Sequence, residues 1–232
     1  MVEITWLGHS SFQLQLAGGE TILIDPWLEG NPKHPVGFHV KRCDAILVSH
    51  GHADHTASVI ELARKHNSTV VAIYELATWF GSKGVAHTIG MNKGGTAQVA
   101  GISATMVHAL HSSSIPDGNH NIYAGEAAGY VLTFADGRKA YFAGDTCVFG
   151  DMRLIADLYQ PELAFLPIGD LYTMGPKEAS LACRMIRPKK VIPMHWGTFP
   201  PLVGRPEQLA AEIQDLPGTS VWALEPGVPV SW

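Results

Sequence analysis

Three observations predict an α/β protein built as a four-layer αβ/βα sandwich. Two β-rich stretches, residues 2–49 and 96–144, are each followed by alternating helix and strand signals, an order that suits two sheets packed face to face with helices outside. Within those stretches, turn sequences such as "AGGE" and Asp136-Gly137 separate short strand-like runs, as hairpins require. Apolar residues make up 46% of the 232-residue chain and charged residues 16%, which fits a large buried core.

In order, "VEITWL" (2–7), "FQLQL" (12–16) and "TILID" (21–25) read as strands. "CDAILVS" (43–49) is a continuous apolar run, the pattern of a strand covered on both faces. "TASVIELARKH" (56–66) places Val59, Ile60, Leu62 and Ala63 at amphipathic-helix spacing. Strand "TVVAIY" (69–74), a short glycine-stopped helix in "ELATWFGSKG" (75–84) and strand "VAHTI" (85–89) follow. The second half repeats the theme with strands in 96–100, 102–110, 127–137 and 138–144. Helix 151–159, strand 162–168, helix 175–186 with Pro176 near its start, strand 190–195 and helix 205–216 complete it. No low-complexity linker or short repeat interrupts this order, so residues 1–232 are expected to form one domain.

Composition excludes several functions. A formal charge of -5 with 16 Lys and Arg offers no basic face for a nucleic-acid backbone. No run of eighteen or more apolar residues predicts a membrane span, and "MVEITWLGHS" lacks the pattern of a signal peptide. Cys43, Cys147 and Cys183 are odd in number and widely spaced, which argues against a disulfide framework and for a soluble cytoplasmic protein. The relatively apolar composition leaves a homo-oligomer open.

The twelve histidines are unevenly spread. "SHGHADHTA" (49–57) holds His50, His52, Asp54 and His55 in six positions, just after the apolar strand. His50 and His52 share a side only if the backbone is extended, so the stretch is expected to be a loop in which that pair holds one ion while Asp54 and His55 face another. Imidazole and carboxylate donors without thiolate suit zinc, manganese or iron in a working site rather than a structural one. Further donors stand where other strands end: His111 in "HALHSSS", with His108 as its rival, Asp145 in "FAGDT" and His195 in "IPMHWGT". Strand ends on one sheet edge are where α/β sites collect.

"WLGHSSF", "IDPWLEGNP", "HGHADH", "ALHSSS", "FAGDT", "YTMGP" and "MHWGTF" together resemble the metallo-β-lactamase superfamily over nearly the whole chain, and within it a small branch of metal-dependent hydrolases similar to ascorbate-6-phosphate lactonase. The resemblance implies that His50, His52 and His111 hold one metal, that Asp54, His55 and His195 hold a second, and that Asp145 bridges them. The cofactors are then two divalent ions, zinc foremost with manganese or nickel as alternatives. His111 is preferred to His108 because it directly precedes Ser112 of the "SS" loop. Asp25 of "IDP" would orient the histidine loop, or only shape the turn before Pro26. His52 stands where oxygen-reducing diiron members carry glutamate, so redox chemistry is not expected, and the chain has no room for their flavin domain.

Two divalent cations outweigh two carboxylates and a bridging hydroxide, leaving a positive site for an anionic transition state. The expected reaction is hydrolysis of a small-molecule ester, lactone or phosphodiester by that hydroxide, with Asp54 helping to hold the water's proton. A nuclease, or a non-catalytic metal-binding protein, are the alternatives. His9 is a candidate substrate contact or proton donor, equally a structural hydrogen-bonding group. Tyr172 and Thr173 are candidate substrate contacts, and Trp196 a cleft wall or core residue. Cys147 is read as a buried small hydrophobe, and His34, His39, His66, His87 and His120 receive no role.

Overall fold

Alternation within the apolar strands decides which layer each side chain meets. In the computed structural model, which describes residues 1–232, the first half runs β1 (Val2–Trp6), β2 (Phe12–Leu16), β3 (Thr21–Ile24), β4 (Ala45–Leu47), helix α1 (Ala53–Thr56), α2 (Val59–His66), β5 (Thr69–Ile73), α3 (Tyr74–Ser82) and β6 (His87–Met91). The second half runs β7 (Thr96–Val99), β8 (Ile102–His108), β9 (Ser114–Asp117), β10 (His120–Tyr123), β11 (Ala128–Thr133), β12 (Lys139–Phe142), α4 (Met152–Tyr159), β13 (Leu163–Pro167), α5 (Pro176–Ile186), β14 (Lys190–Met194), α6 (Pro206–Glu212), β15 (Ser220–Val221) and β16 (Pro229–Ser231).

All but β9 and β10, which pair with each other, form two seven-stranded sheets, ordered β16-β1-β2-β3-β4-β5-β6 and β15-β14-β13-β12-β11-β8-β7. Each mixes an antiparallel meander with a parallel part, β3 to β6 in one and β12 to β15 in the other. The faces sort by the two-residue period. In β13, Leu163 and Phe165 join the core between the sheets, whereas Ala164 and Leu166 join the core beneath α4, α5 and α6. Likewise Phe142 faces inward and Tyr141 outward. The result is the four-layer sandwich expected from the order of elements.

Across the interior, Phe12 of one sheet meets Phe165 of the other edge-on at 4.8 Å, and Phe142 lies 5.8 Å from Phe165. Buried Tyr130 reaches from the second sheet to donate its hydroxyl to the Val48 carbonyl of the first, 2.8 Å away. The two sheets are therefore joined by aromatic contact and by a satisfied polar group.

Four features differ from the sequence expectation. Residues 53–56 wind into a single helical turn rather than a loop, with His55 N–H donating to the His52 carbonyl. The stretch holding "PDGN" reads as a glycine- and asparagine-rich loop but forms the hairpin β9–β10, whose strands bury little beyond Ile115 and so show no apolar alternation. The short strands β15 and β16 escaped for want of length, although β16 pairs with β1 in register Ile4 to Val230. Strand β6 continues beyond Ile89 to Met91. No helix is long and apolar enough to cross a membrane.

Phe165→Ala should remove about 3–5 kcal/mol of stability, read as a lower urea midpoint. Because Phe165 touches both sheets, far-UV and tryptophan signals should still fall together in one transition.

Candidate metal centre

Strand direction brings the functional side chains to one edge. Asp25 follows β3, Ser49 to His55 follow β4, His111 follows β8, Asp145 follows β12 and His195 follows β14, while His9 lies in the turn between β1 and β2. All seven residues expected to bind metal converge there. The ring nitrogens of His50, His52 and His111 form one potential ligand group, and His9, Asp54, His55 and His195 form a second. Asp145 lies between them. Its Oδ2 is 2.9 Å from His195 Nε2, 3.3 Å from His55 Nε2, 3.8 Å from His111 Nε2 and 4.0 Å from His50 Nε2.

Asp25 sets the direction of two of these rings. His55 Nδ1–H donates to Asp25 Oδ2 at 2.8 Å, leaving Nε2 to face the cluster. Ser49 donates its backbone N–H to Asp25 Oδ1 at 2.7 Å and its hydroxyl to Oδ2 at 2.5 Å. The Ser49 oxygen in turn receives His50 Nδ1–H at 3.0 Å, so His50 also presents Nε2 inward. Of the two readings of Asp25, the geometry supports the orienting one.

Two glycines are required by space. A Cβ on Gly51 would lie 2.6 Å from the Ala124 Cβ and 3.1 Å from the Ser114 carbonyl, because the base of the β9–β10 hairpin rests on the ligand loop. Gly144, at φ +64, precedes Asp145, and a Cβ there would meet the Ala128 carbonyl at 2.6 Å. Three non-glycine residues of the site also hold left-handed backbone: His9 (φ 56), Asp25 (φ 45) and His195 (φ 55).

Burial and charge act together on protonation. Burial, with neighbouring imidazoles, lowers the pKa of His50, His52 and His111, which keeps these rings neutral and able to donate a lone pair. Burial also resists charge on His55, yet Asp145, Asp54 and Asp25 outweigh it and raise its pKa well above the ordinary value. Burial works against Asp145 as an anion, but His195 and His55 hold it well below the carboxylate range. Asp54 is likewise opposed by burial and held low by His55 and a hydrogen bond from His9. His9 itself is pushed down to about 4, chiefly by burial and then by His195.

The donor set fits divalent metal. No lysine or arginine pairs with Asp54 or Asp145. His55 Nε2 and Asp145 Oδ1 are buried without a hydrogen-bond partner, an arrangement that a coordinated cation satisfies. Access is one-sided: His50, His55, Asp145 and His195 are buried, whereas His52, His111 and Asp54 reach the surface.

His108 is drawn away from the cluster, its Nδ1 2.9 Å from Lys93 Nζ and its ring against Phe149. The His9 ring is fully enclosed rather than open to the cleft. Trp196 stacks on Trp6 at 5.4 Å beneath Lys33 and contacts both cores, which makes it a packing residue. Cys147 is half-buried and belongs to neither ligand group; Cys43 and Cys183 are buried, and all three are free. Tyr172 is exposed and Thr173 half-buried, on a loop tied to the one carrying Asp145 where Met174 N–H donates to the Thr146 carbonyl. Sequence reasoning missed Thr198, whose hydroxyl meets His9 Nδ1 at 2.9 Å, and Ser49. Neither carries a metal-ligand signature; their only signal is adjacency to His195 and His50.

The chain is similar to several known proteins. A family model described as the β-lactamase superfamily domain matches residues 20–196. A UPF0173 metal-dependent hydrolase from Solibacter usitatus is 58% identical over 231 residues, covering both chains fully. One from Koribacter versatilis is 49% identical over 209 residues, 90% of each chain. Among solved structures, a metallo hydrolase from the hyperthermophilic archaeon Ignicoccus hospitalis superposes with a TM-score of 0.87 at 33% identity, covering 100% of this chain and 99% of that one. The chain belongs to the metallo-β-lactamase superfamily, within its UPF0173 metal-dependent hydrolases.

Two measurements test the ligand geometry. His111→Ala should lower the bound metal found by elemental analysis by about one equivalent, while His108→Ala should leave it unchanged. Asp145, Asp54 and Asp25 favour the charged form of His55, so metal taken up at its Nε2 must displace a proton: loading should release a proton and apparent affinity should rise with pH. Calorimetry in buffers of different ionisation enthalpy reads that proton directly.

Proposed function

We propose that the chain is a dinuclear hydrolase of small-molecule esters, lactones or phosphodiesters, folded as one domain and working in the cytoplasm. The observation that carries this reading is the Asp145 carboxylate, within 4.0 Å of ring nitrogens from both ligand groups. His50, His52 and His111 would hold one ion and Asp54, His55 and His195 the other, with Asp145 shared. Nitrogen and oxygen donors of this kind suit zinc, with manganese or nickel as alternatives. Such a pair supplies a water acidified to roughly pKa 7 and Lewis-acid stabilisation of an oxyanion.

The chain's own residues do the rest. Asp25 and Ser49 fix the ring planes of His50 and His55. Asp54, partly exposed on the open side and held anionic, accepts a hydrogen bond from the attacking water and orients it. Tyr172 and Thr173, on the loop tied to Thr146, are the side chains available to grip substrate beside that water. The relatives' name, metal-dependent hydrolase, supports the reaction class. An acidic balance of -5 supports a small molecule over nucleic acid, and three free cysteines support a reducing compartment.

Chelation should abolish turnover of the accepted substrate from an ester, lactone and phosphodiester panel, and metal add-back should restore it. Asp145→Asn should cost more than the roughly 10–100-fold typical of residues one step further from a metal. Turnover indifferent to chelator refutes the proposal; a fully metallated protein inert across the panel points instead to a binding role.

A further inference from the structure

His9 stands apart from the other clustered imidazoles. Its only carboxylate contact is Asp54 Oδ2, at 3.0 Å, and its side chain has no exposed surface. A carboxylate can only accept, so the neutral His9 ring donates Nε2–H to Asp54 and its Nδ1 receives the Thr198 hydroxyl at 2.9 Å. The main chain of the same residue is equally committed. The His9 carbonyl accepts the backbone N–H of His195 at 3.1 Å and the indole N–H of Trp6 at 2.9 Å. The His9 ring lies against the His195 ring with centroids 3.9 Å apart. His195 Nδ1, unlike that of His50 or His55, has no hydrogen-bond partner, so its plane rests on the His9 ring and on Asp145 Oδ2, 2.9 Å from Nε2. His9 holds this position with a left-handed φ of 56°, which a β-substituted residue adopts only where its surroundings require it.

We propose that His9 is a positioning residue that locks Asp54, from the first half of the chain, and His195, from the second, into one preassembled triad with His55. This rests on the dinuclear reading above and adds to it a residue that binds neither metal nor substrate. Thr198 completes the device by fixing the tautomer that points Nε2–H at Asp54. Asp54 on a one-turn helix has no lysine or arginine to hold its oxygen in place; His9 takes that task.

The test titrates zinc into metal-free wild type, His9→Ala, His9→Gln and Thr198→Val against a competing chelator, without substrate. His9→Ala should weaken the second ion by about 10–100-fold and leave the first unchanged. His9→Gln, whose amide nitrogen can donate to Asp54, should recover most of that loss, and Thr198→Val should show a smaller deficit. The cobalt-substituted spectrum of His9→Gln should match wild type, since no ligand is lost. Wild-type affinity for both ions in His9→Ala overturns the proposal. So does a His9→Gln as defective as His9→Ala with an altered cobalt spectrum, which makes His9 a ligand. If His9→Ala fails to fold, His9→Gln and Thr198→Val decide on the same criteria, both at or near wild-type spectrum with Thr198→Val alone weakening the second ion being the expected pair and no change in Thr198→Val overturning it. A wild type that takes up one ion removes the dinuclear reading, whereas two ions and unchanged variants remove the role of His9 alone.

Discussion

Enclosing the charge of Asp145 inside a protein costs several kcal/mol unless opposite charge surrounds it. Here the surroundings are imidazoles rather than lysine or arginine, contributed by His50 and His55 from one half of the chain and His111 and His195 from the other. Neutral imidazole answers a carboxylate poorly, and Asp145, Asp54 and Asp25 together favour the charged form of His55 against its burial. Two sheets, two cores and the loops between them hold that unfavourable cluster together. A divalent ion held there would relieve it by satisfying the orphaned His55 Nε2 and Asp145 Oδ1.

Holding the cluster requires backbone conformations that free chains avoid. His9, Asp25 and His195 adopt left-handed φ, and Gly51 and Gly144 sit where any side chain would collide. Such positions persist when their neighbours are fixed by packing. Phe12, Phe142 and Phe165 between the sheets, and the Tyr130 bond to Val48 two residues before His50, supply that rigidity close to the ligand loop. Fold stability and site geometry are thus linked through short stretches of chain.

Much of this was legible in the residues. The order of β-rich and α/β segments gave the layers, because period-two burial in strands such as β13 leaves a direct trace in sequence. The density of His50, His52, Asp54 and His55 marked the centre, and strand-end placement found His111, Asp145 and His195. The choice of His111 over His108 came from the neighbouring serines, and the physical reason emerges only from Lys93, which occupies His108 from 15 residues away in the chain. Thr198 was not legible, and for His9 the sequence left a substrate contact and a structural hydrogen-bonding role equally open, since the choice depends on contacts across 189 residues. The β9–β10 hairpin was hidden for the opposite reason: Ile115 is the single buried residue of its two strands, too little to leave a pattern.

That hairpin has an evolutionary implication. Its base is immobilised where Ser113 Oγ accepts the Gly51 N–H and Ala124 presses on Gly51, while Ile122 and Tyr123 stand largely in solvent. Lengthening or recolouring the tip would alter what approaches the rim without disturbing the interior, since exposed loop residues tolerate change at little energetic cost. Residues 116–123, all exposed, thus form a part of the rim that mutation can rewrite independently of the ligand cluster.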